Sequence, residues 1–227
     1  METTLHQQLK AHYAPDGAQV EQRVGRYRID VVDGSELIEI QLGSLSAIRD
    51  KIAELVKKHQ VRIVKPIVAR KYLVKQQRAG GQVVSRRRSP KQGTVFDLFE
   101  ELVHFTRVFP HPRLVLEVVL IEIEEWRYPG HGRRRRWRRN DHEMEDQRLM
   151  AVLGVEEFRT AADLCRLLPP KLPTPFHTGH IAAGLNVQRW IAQRMAYCLR
   201  ETRAIKTVGK ERGAWLYKRT AKTQAAA

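Results

Sequence analysis

The chain has 227 residues, of which 42% are hydrophobic, enough for one or two domains with a buried core. Its formal net charge of +16 and pI near 10.3 favour an anionic partner, either nucleic acid or an acidic membrane surface. No run approaches 18 apolar residues, which excludes a membrane-spanning helix, and the amino terminus lacks an apolar signal core. Cys165 and Cys198 fall far apart at helical apolar positions, which predicts reduced core cysteines in a cytoplasmic protein.

A β-hairpin is predicted near the amino terminus, over residues 26–41. Apolar and polar residues alternate on both sides of the turn signal at residues 33–34. If the turn is centred just after Gly34, Asp30 lies directly opposite Glu39. If residues 33–34 are themselves the turn, Arg28 faces Glu39 instead. The pattern alone leaves both registers open.

Either register places Asp30, Glu39 and Gln41 on the same face of the hairpin. Two like charges at this spacing destabilise a hairpin unless positive charge lies beside them. A half-exposed hairpin with arginine-paired acids is one explanation, and a divalent cation such as Mg²⁺ is the other.

The segments around the hairpin define an order of elements. Glu21 lies in a short polar segment that is predicted to end a helix. After the hairpin, Ser44 is a candidate N-cap for a helix that continues to about His59. A strand is then predicted over residues 61–68.

This order resembles the core of the restriction-endonuclease-like, PD-(D/E)XK nuclease superfamily over residues 21–68. The resemblance implies four catalytic residues: Glu21, Asp30, Glu39 and Gln41. It also implies that Asp30 and Glu39 hold Mg²⁺ or Mn²⁺. Gln41 stands where the family has a lysine, and its neutral amide lacks that positive charge. In that case the positive charge would come from one of three neighbouring lysines: Lys51, Lys65 or Lys71.

Two strongly basic segments follow. No acidic residue occurs between Glu54 and Asp97, and residues 79–93 are interpreted either as a phosphate-binding loop or as a solvated, flexible linker. The second segment is a predicted DNA-binding cluster made of Arg133, Arg134, Arg135, Arg136, Trp137, Arg138 and Arg139. Within that cluster, Trp137 is suited to stacking on a base.

Between the basic segments, the pattern predicts an amphipathic helix over residues 95–105 and a strand over 114–126. Glu122 and Glu124 are interpreted as the solvated face of that strand, paired with nearby arginines. A connecting helix is predicted over residues 141–153.

The last third of the chain carries a second motif. Helices are predicted over residues 160–168, from Thr178 to about residue 185, and from Val187 onward, followed by strands at 204–208 and 214–218. This pattern resembles a winged helix-turn-helix domain. That resemblance implies DNA contacts by Gln188, Arg189, Gln193 and Arg194 on the second helix of the motif, and by Lys206, Lys210 and Arg212 on the wing. Protein contacts or dimerisation are the alternative.

A histidine pair, His177 and His180, precedes and begins the first helix of that motif. Its spacing would suit zinc, but no third ligand lies nearby in the sequence. The two histidines are therefore interpreted as cap and surface residues.

The sequence therefore predicts an α/β (α+β) restriction-endonuclease-like core with a mixed sheet and a carboxy-terminal winged helix. The predicted domains are residues 1–130, a basic linker and connecting helix at 131–155, the winged helix at 156–220 and a disordered tail at 221–227. The expected function is metal-dependent hydrolysis of DNA, and the alternative is an inactive DNA-binding regulator on the same scaffold. DNA is the expected partner, in a nucleoid-associated location without a membrane; RNA and a homodimer are left open.

Overall fold

The computed structural model describes residues 3–130 and 142–220. The helices are α1 (Thr4–Tyr13), α2 (Arg49–Leu55), α3 (Leu98–Leu102), α4 (Ala161–Cys165), α5 (Thr178–Leu185) and α6 (Arg189–Glu201), and short 3-10 turns precede α2 and α3. The strands are β1 (Gln19–Val24), β2 (Tyr27–Asp33), β3 (Glu36–Ile40), β4 (Gln60–Gln76), β5 (Val83–Arg88), β6 (Leu114–Pro129), β7 (His142–Phe158), β8 (Ile205–Glu211) and β9 (Ala214–Arg219). No helix in these ranges is long and apolar enough to cross a membrane.

The architecture is α+β, dominated by one large mixed sheet. The strand order is β1-β2-β3-β4-β6-β7, and β5 pairs with the outer half of β4. Strands β1 to β3 are antiparallel neighbours, whereas β4 runs parallel to both β3 and β6. Parallel neighbours need a connection that crosses the sheet, and α2 supplies it between β3 and β4.

Helices cover both faces of the sheet around its central strands. On one face, Leu5 and Leu9 of α1 are one helical turn apart and pack against the strands, including Ile38. On the other face, α2 and α3 contribute Ile52 and Phe99 to a larger core. The sheet is therefore buried on both sides at the point where β2, β3 and β4 meet.

The prediction that Glu21 ends the first helix is wrong. Helix α1 ends at Tyr13, and Glu21 lies inside β1 with a left-handed backbone φ of 57°. Residues 79–93, interpreted as a loop, include β5, which is exposed along its whole length and pairs with β4.

The helix predicted for residues 141–153 is also wrong, because residues 142–158 form β7. This strand pairs with β6 from Leu116↔Phe158 to Pro129↔His142. The described part of the predicted linker thus belongs to the large sheet. The arginine cluster at 133–139 and the predicted tail at 221–227 lie outside the described residues.

The carboxy-terminal part consists of α4, α5, α6 and the β8–β9 hairpin. The Thr160 side chain caps α4, and Asn186 ends α5 in a left-handed conformation with a φ of 52°. At α5 the N-cap is His177, one residue before Thr178. The turn between the strands is Arg212-Gly213, tighter than the segment expected from the sequence.

A single hydrophobic core joins this part to the large sheet. Phe158 of β7 and Phe99 of α3 belong to the same buried cluster as Ile181, Met195 and Leu199 of α5 and α6. Both cysteines are free and buried in this cluster, as the sequence predicts. The core therefore crosses the domain boundary predicted at residue 155.

Because of this shared core, we expect Phe99→Ala to destabilise the whole chain by about 3–5 kcal/mol. Phe99 is fully buried, and its carbonyl accepts a 3.9 Å hydrogen bond from the Cys198 thiol on α6. Urea unfolding followed by circular dichroism and by tryptophan fluorescence should give one transition, shifted equally in both signals. Leu153→Ala, at an exposed apolar position on β7, is the control and should change stability by less than about 0.5 kcal/mol. Two separate transitions would contradict a shared core.

Candidate functional site

The candidate site lies where β2 and β3 separate. Their ladder runs from Asp33↔Glu36 to Val31↔Ile38, which confirms the register with the turn centred after Gly34. The pairing ends there, one residue before Asp30 and Glu39 would face each other.

Asp30 fills the gap between the separating strands. Its Oδ2 accepts a 2.8 Å hydrogen bond from the backbone N–H of Ile40 and lies 3.4 Å from Nε2 of His6 on α1. That His6 nitrogen also lies 3.1 Å from the Ile40 carbonyl oxygen. Burial alone would raise the pKa of Asp30, but the His6 and Ile40 hydrogen bonds, together with the charge of Lys51, lower it overall. Asp30 is therefore held as a carboxylate.

The pKa of Glu39 is raised, whereas the pKa of Asp30 is lowered. Glu39 is only 8% exposed, and burial raises its pKa despite a hydrogen bond from Lys51. The negative charge of Asp30 raises that pKa further. Oε1 of Glu39 is 2.6 Å from Nζ of Lys51, whereas its Oε2 is buried with no hydrogen-bond partner among the described residues. Such an oxygen is costly in a folded protein unless a proton or a cation satisfies it.

Lys51 is the cation nearest to the acid pair among the three lysines considered. It extends from α2 and also donates a 2.6 Å hydrogen bond to the Arg28 carbonyl. Lys65 instead donates to the Gly43 carbonyl at 2.5 Å, and Lys71 pairs with Glu125 at 2.7 Å. The sequence does not select Lys51, because its contact with Glu39 depends on how α2 packs on the sheet.

Gln41 and Glu21 are engaged elsewhere. The Gln41 amide donates a 2.7 Å hydrogen bond to the Ser44 carbonyl. The Glu21 carboxylate pairs with Lys10 at 2.6 Å and with Arg28, and these hydrogen bonds lower its pKa. His6 of α1 is the group that contacts Asp30, and no motif in the sequence identified it.

Acidic residues on β6 offset part of the basic surface formed by β4 and β5. Arg86 lies 2.8 Å from Glu124, and Arg70 lies 3.6 Å from Glu122. These pairs confirm the predicted pairing with arginines, but the two glutamate side chains are only 15% and 14% exposed, so the strand face is not the solvated one expected.

The candidate DNA-binding residues of the carboxy-terminal part are all exposed. They are Gln188, Arg189, Gln193, Arg194, Lys206, Lys210 and Arg212. Arg189 and Gln193 line a cleft between α6 and the β8–β9 hairpin. Arg194, by contrast, forms a 3.2 Å ion pair with Glu100 of α3. The region 160–220 contains eleven lysines and arginines and three acidic residues, so its surface is strongly basic.

His177 and His180 act as helix caps, as the sequence predicts. Nδ1 of His177 accepts from the Gly179 N–H at 3.0 Å, and Nδ1 of His180 accepts from the His177 N–H at 3.2 Å. Their rings stack with centroids 3.7 Å apart.

Comparison with known proteins places the chain in a family. The model of the family described as "Domain of unknown function (DUF8091)" matches residues 3–159, from the start of α1 to the end of β7. The chain belongs to the DUF8091 family. The family's match thus spans the large sheet and includes the acid pair.

A relative from Treponema pallidum (strain Nichols), which carries the name "Uncharacterized protein", is 31% identical to this DUF8091 chain over 177 residues. The aligned region covers 77% of this chain and 69% of the relative. No solved structure matches the chain.

Proposed function

We propose that this chain is a metal-dependent nuclease that hydrolyses phosphodiester bonds of DNA. The observation that carries the proposal is the buried Oε2 of Glu39, which has no hydrogen-bond partner among the described residues and belongs to a carboxylate beside Asp30. Lys51 occupies the other oxygen of Glu39, so the site combines two carboxylates with an adjacent positive charge. That combination suits hydrolysis of a phosphate ester, in which negative charge develops on phosphate oxygens.

The arrangement of elements supports the proposal. The order α1-β1-β2-β3-α2-β4, with β4 parallel to β3, contains the expected helix, hairpin, helix and strand; it differs in adding β1, in which Glu21 lies instead of on a helix. The two acids fall on the second and third of these strands, as the resemblance requires. The fold and the acids thus support the same superfamily, independently of Gln41.

The residues fit a Mg²⁺ site that the substrate completes. Within residues 3–130 and 142–220, no group of three or more His, Cys, Asp or Glu side chains is arranged to hold a metal ion. Mg²⁺ commonly binds through one or two carboxylates, with water and substrate phosphate oxygens as the remaining ligands. Asp30 and Glu39 would be the protein ligands in such a site, and Oε2 of Glu39 would no longer be unsatisfied.

Each residue near the site has a separate role in the proposed reaction. A bound Mg²⁺ ion supplies Lewis-acid chemistry and lowers the pKa of a coordinated water. Lys51 supplies the positive charge that Gln41 cannot, at a position where it can stabilise hydroxide or phosphate oxygens. His6 lies on α1, on the face of the sheet opposite Lys51. It holds the Asp30 carboxylate in place through its contacts with Oδ2 and the Ile40 carbonyl.

The carboxy-terminal part is proposed to deliver the nuclease to DNA as a winged helix. Helices α4 to α6 and the β8–β9 hairpin follow the expected order of that domain. The excess of lysine and arginine over acidic residues there suits phosphate contacts, which make binding weaken steeply as salt rises.

We expect Mg²⁺-dependent cleavage of DNA by the purified chain, and Asp30→Asn should lower it by at least about a hundredfold, because a catalytic metal supplies several kcal/mol. The assay compares supercoiled, linear and single-stranded DNA with Mg²⁺, Mn²⁺ or a chelator. Glu122→Gln is the matched control, since Glu122 is an acid on β6 that pairs only with the surface residue Arg70 in the described structure. Cleavage that survives Asp30→Asn would refute the proposed site.

One observation favours a second candidate, a DNA-binding protein without nuclease activity. Gln41 replaces the family's lysine, and its amide is bound to the Ser44 carbonyl. Salt-sensitive DNA binding by the wild type, with no cleavage under any metal condition, would select this candidate.

A further inference from the structure

A cleft between α6 and the β8–β9 hairpin has features of a ligand site separate from the acid pair. It encloses about 210 Å³. The lining residues are Thr178, Arg189, Gln193, Gly213, Ala214, Trp215 and Tyr217. None of these carries a negative charge.

Trp215 gives the cleft an exposed aromatic wall. The residue is 48% exposed, although tryptophan is usually well buried in folded proteins. Lys210 lies opposite Trp215 in the β8–β9 ladder, and its Nζ is 4.0 Å from the ring centroid. The tight Arg212-Gly213 turn, with positive φ at both residues, fixes the ladder next to this pair. One face of the ring thus lies under a positive charge.

The opposite wall of the cleft is basic and open to a ligand. Within the described residues, the Arg189 guanidinium forms no ion pair or hydrogen bond. Gln193 lies one turn further along α6, so both side chains face the cleft. Arg194, on a neighbouring position, is instead paired with Glu100. Arg189 is therefore the cation of α6 that is available to an anion in the cleft.

We propose that the cleft receives one unpaired nucleobase, stacked on Trp215, with the adjoining phosphate at Arg189 and a base edge within reach of Gln193. Stacking on a side chain requires an exposed base face, and in a duplex both faces of each internal base are covered by its neighbours. The preferred substrate class is therefore DNA that contains unpaired bases, such as an overhang or a flap. This inference rests on the proposed function, because it assumes a nucleic-acid ligand.

The experiment measures binding to two fluorescent DNAs by anisotropy at one fixed salt concentration. One is a blunt duplex, and the other is the same duplex with an overhang of about six thymidines, within the range of single-strand site sizes. The wild type should bind the overhang DNA more tightly. Trp215→Ala should weaken that binding by roughly 5- to 100-fold, from the usual effect of losing one base–aromatic stack, and change duplex affinity less than about twofold.

Two variants separate stacking from a general loss of structure. Trp215→Phe keeps an aromatic face and should retain most of the preference for the overhang. Trp190→Ala removes an exposed tryptophan of α6 that does not line the cleft, and it should leave the preference unchanged.

The outcomes distinguish this inference from the proposed function. Equal affinity of the wild type for both DNAs, or an equal loss for both in Trp215→Ala, would overturn the stacking site while leaving DNA binding in place. Absence of binding to either DNA would overturn the proposed function together with the inference.

Discussion

Glu39→Gln is expected to lower metal-dependent cleavage by at least about a hundredfold while leaving the chain as stable as the wild type or more stable. Loss of activity follows because the neutral amide is a poor ligand for a hard cation. The effect on stability has a separate cause. Burial and the charge of Asp30 raise the pKa of Glu39 despite its ion pair with Lys51, and one of its oxygens has no hydrogen-bond partner among the described residues, so on balance its charge opposes folding.

The direction of the stability change in Glu39→Gln follows from the linkage between protonation and folding. Because burial raises the pKa of Glu39, the folded state favours the protonated form more than the unfolded state does. This contribution to stability is present below the ordinary glutamate pKa and is lost as pH rises through the raised value. At neutral pH, the amide introduced by Glu39→Gln would mimic the favoured neutral form.

Asp30→Asn should have the opposite effect on stability. Burial raises the pKa of Asp30, but the hydrogen bonds from His6 and Ile40, together with the charges of His6 and Lys51, lower it overall, so folding favours its charged form. That contribution is present above the ordinary aspartate pKa and is lost as pH falls through the lowered value. We expect this variant to lose about 1.5–3 kcal/mol of unfolding free energy at neutral pH, the usual range for hydrogen bonds to a charged group.

Urea unfolding of both variants at neutral pH, alongside the cleavage assay, tests this contrast. Both variants should lack activity, whereas only Asp30→Asn should be less stable than the wild type. If Glu39→Gln were destabilised as strongly as Asp30→Asn, Glu39 would be an ordinary structural partner of Lys51. The case for a cation at its second oxygen would then fail.

The sequence predicted the local geometry of the site because that geometry depends on short-range signals. The turn after Gly34 sets the register of β2 and β3, and the paired part of these strands ends one residue before Asp30 and Glu39. Ser44 caps the turn that leads into α2, as its side-chain oxygen suggested. Each of these features is encoded within a few residues.

Other features depend on edges of the sheet and on distant contacts. Residues 142–158 form an edge strand whose pairing with β6 shifts register at three places, which disrupts the alternation expected of a strand. Strand β1 is mostly exposed, so the segment around Glu21 lacks an apolar pattern. His6 and Lys51 reach the acids because α1 and α2 pack on opposite faces of the large sheet. No pattern of neighbouring residues in the sequence predicts this packing.

A second large effect is expected near the start of β4, where Arg62 joins four elements. Its guanidinium contacts Glu36 of β3 at 3.2 Å, Glu157 of β7 at 2.5 Å and Glu117 of β6, which also accepts from the Tyr13 hydroxyl of α1. The side chains of Arg62 and Glu117 are only 15% and 6% exposed. A pair buried this deeply is costly to break, because the remaining charge has neither water nor a counter-ion.

Arg62→Met is therefore expected to lower the unfolding free energy by about 3–5 kcal/mol. Adding Glu117→Gln should recover part of the loss, since it removes the buried charge left without its partner. Arg86→Met is the matched control: Arg86 also pairs with a glutamate on β6, but it is about half exposed, so its loss should cost no more than about 1 kcal/mol. Equal costs for Arg62→Met and Arg86→Met in urea unfolding would contradict the argument from burial.

The pH dependence of the Arg62→Met effect gives a further check. The hydrogen bond from Arg62 lowers the pKa of Glu157, so the wild type gains stability from it above the ordinary glutamate pKa. As pH falls through the lowered pKa, that part of the wild type's advantage over Arg62→Met disappears. The difference between the two unfolding free energies should therefore become smaller in acid, because Glu157 becomes protonated in both proteins.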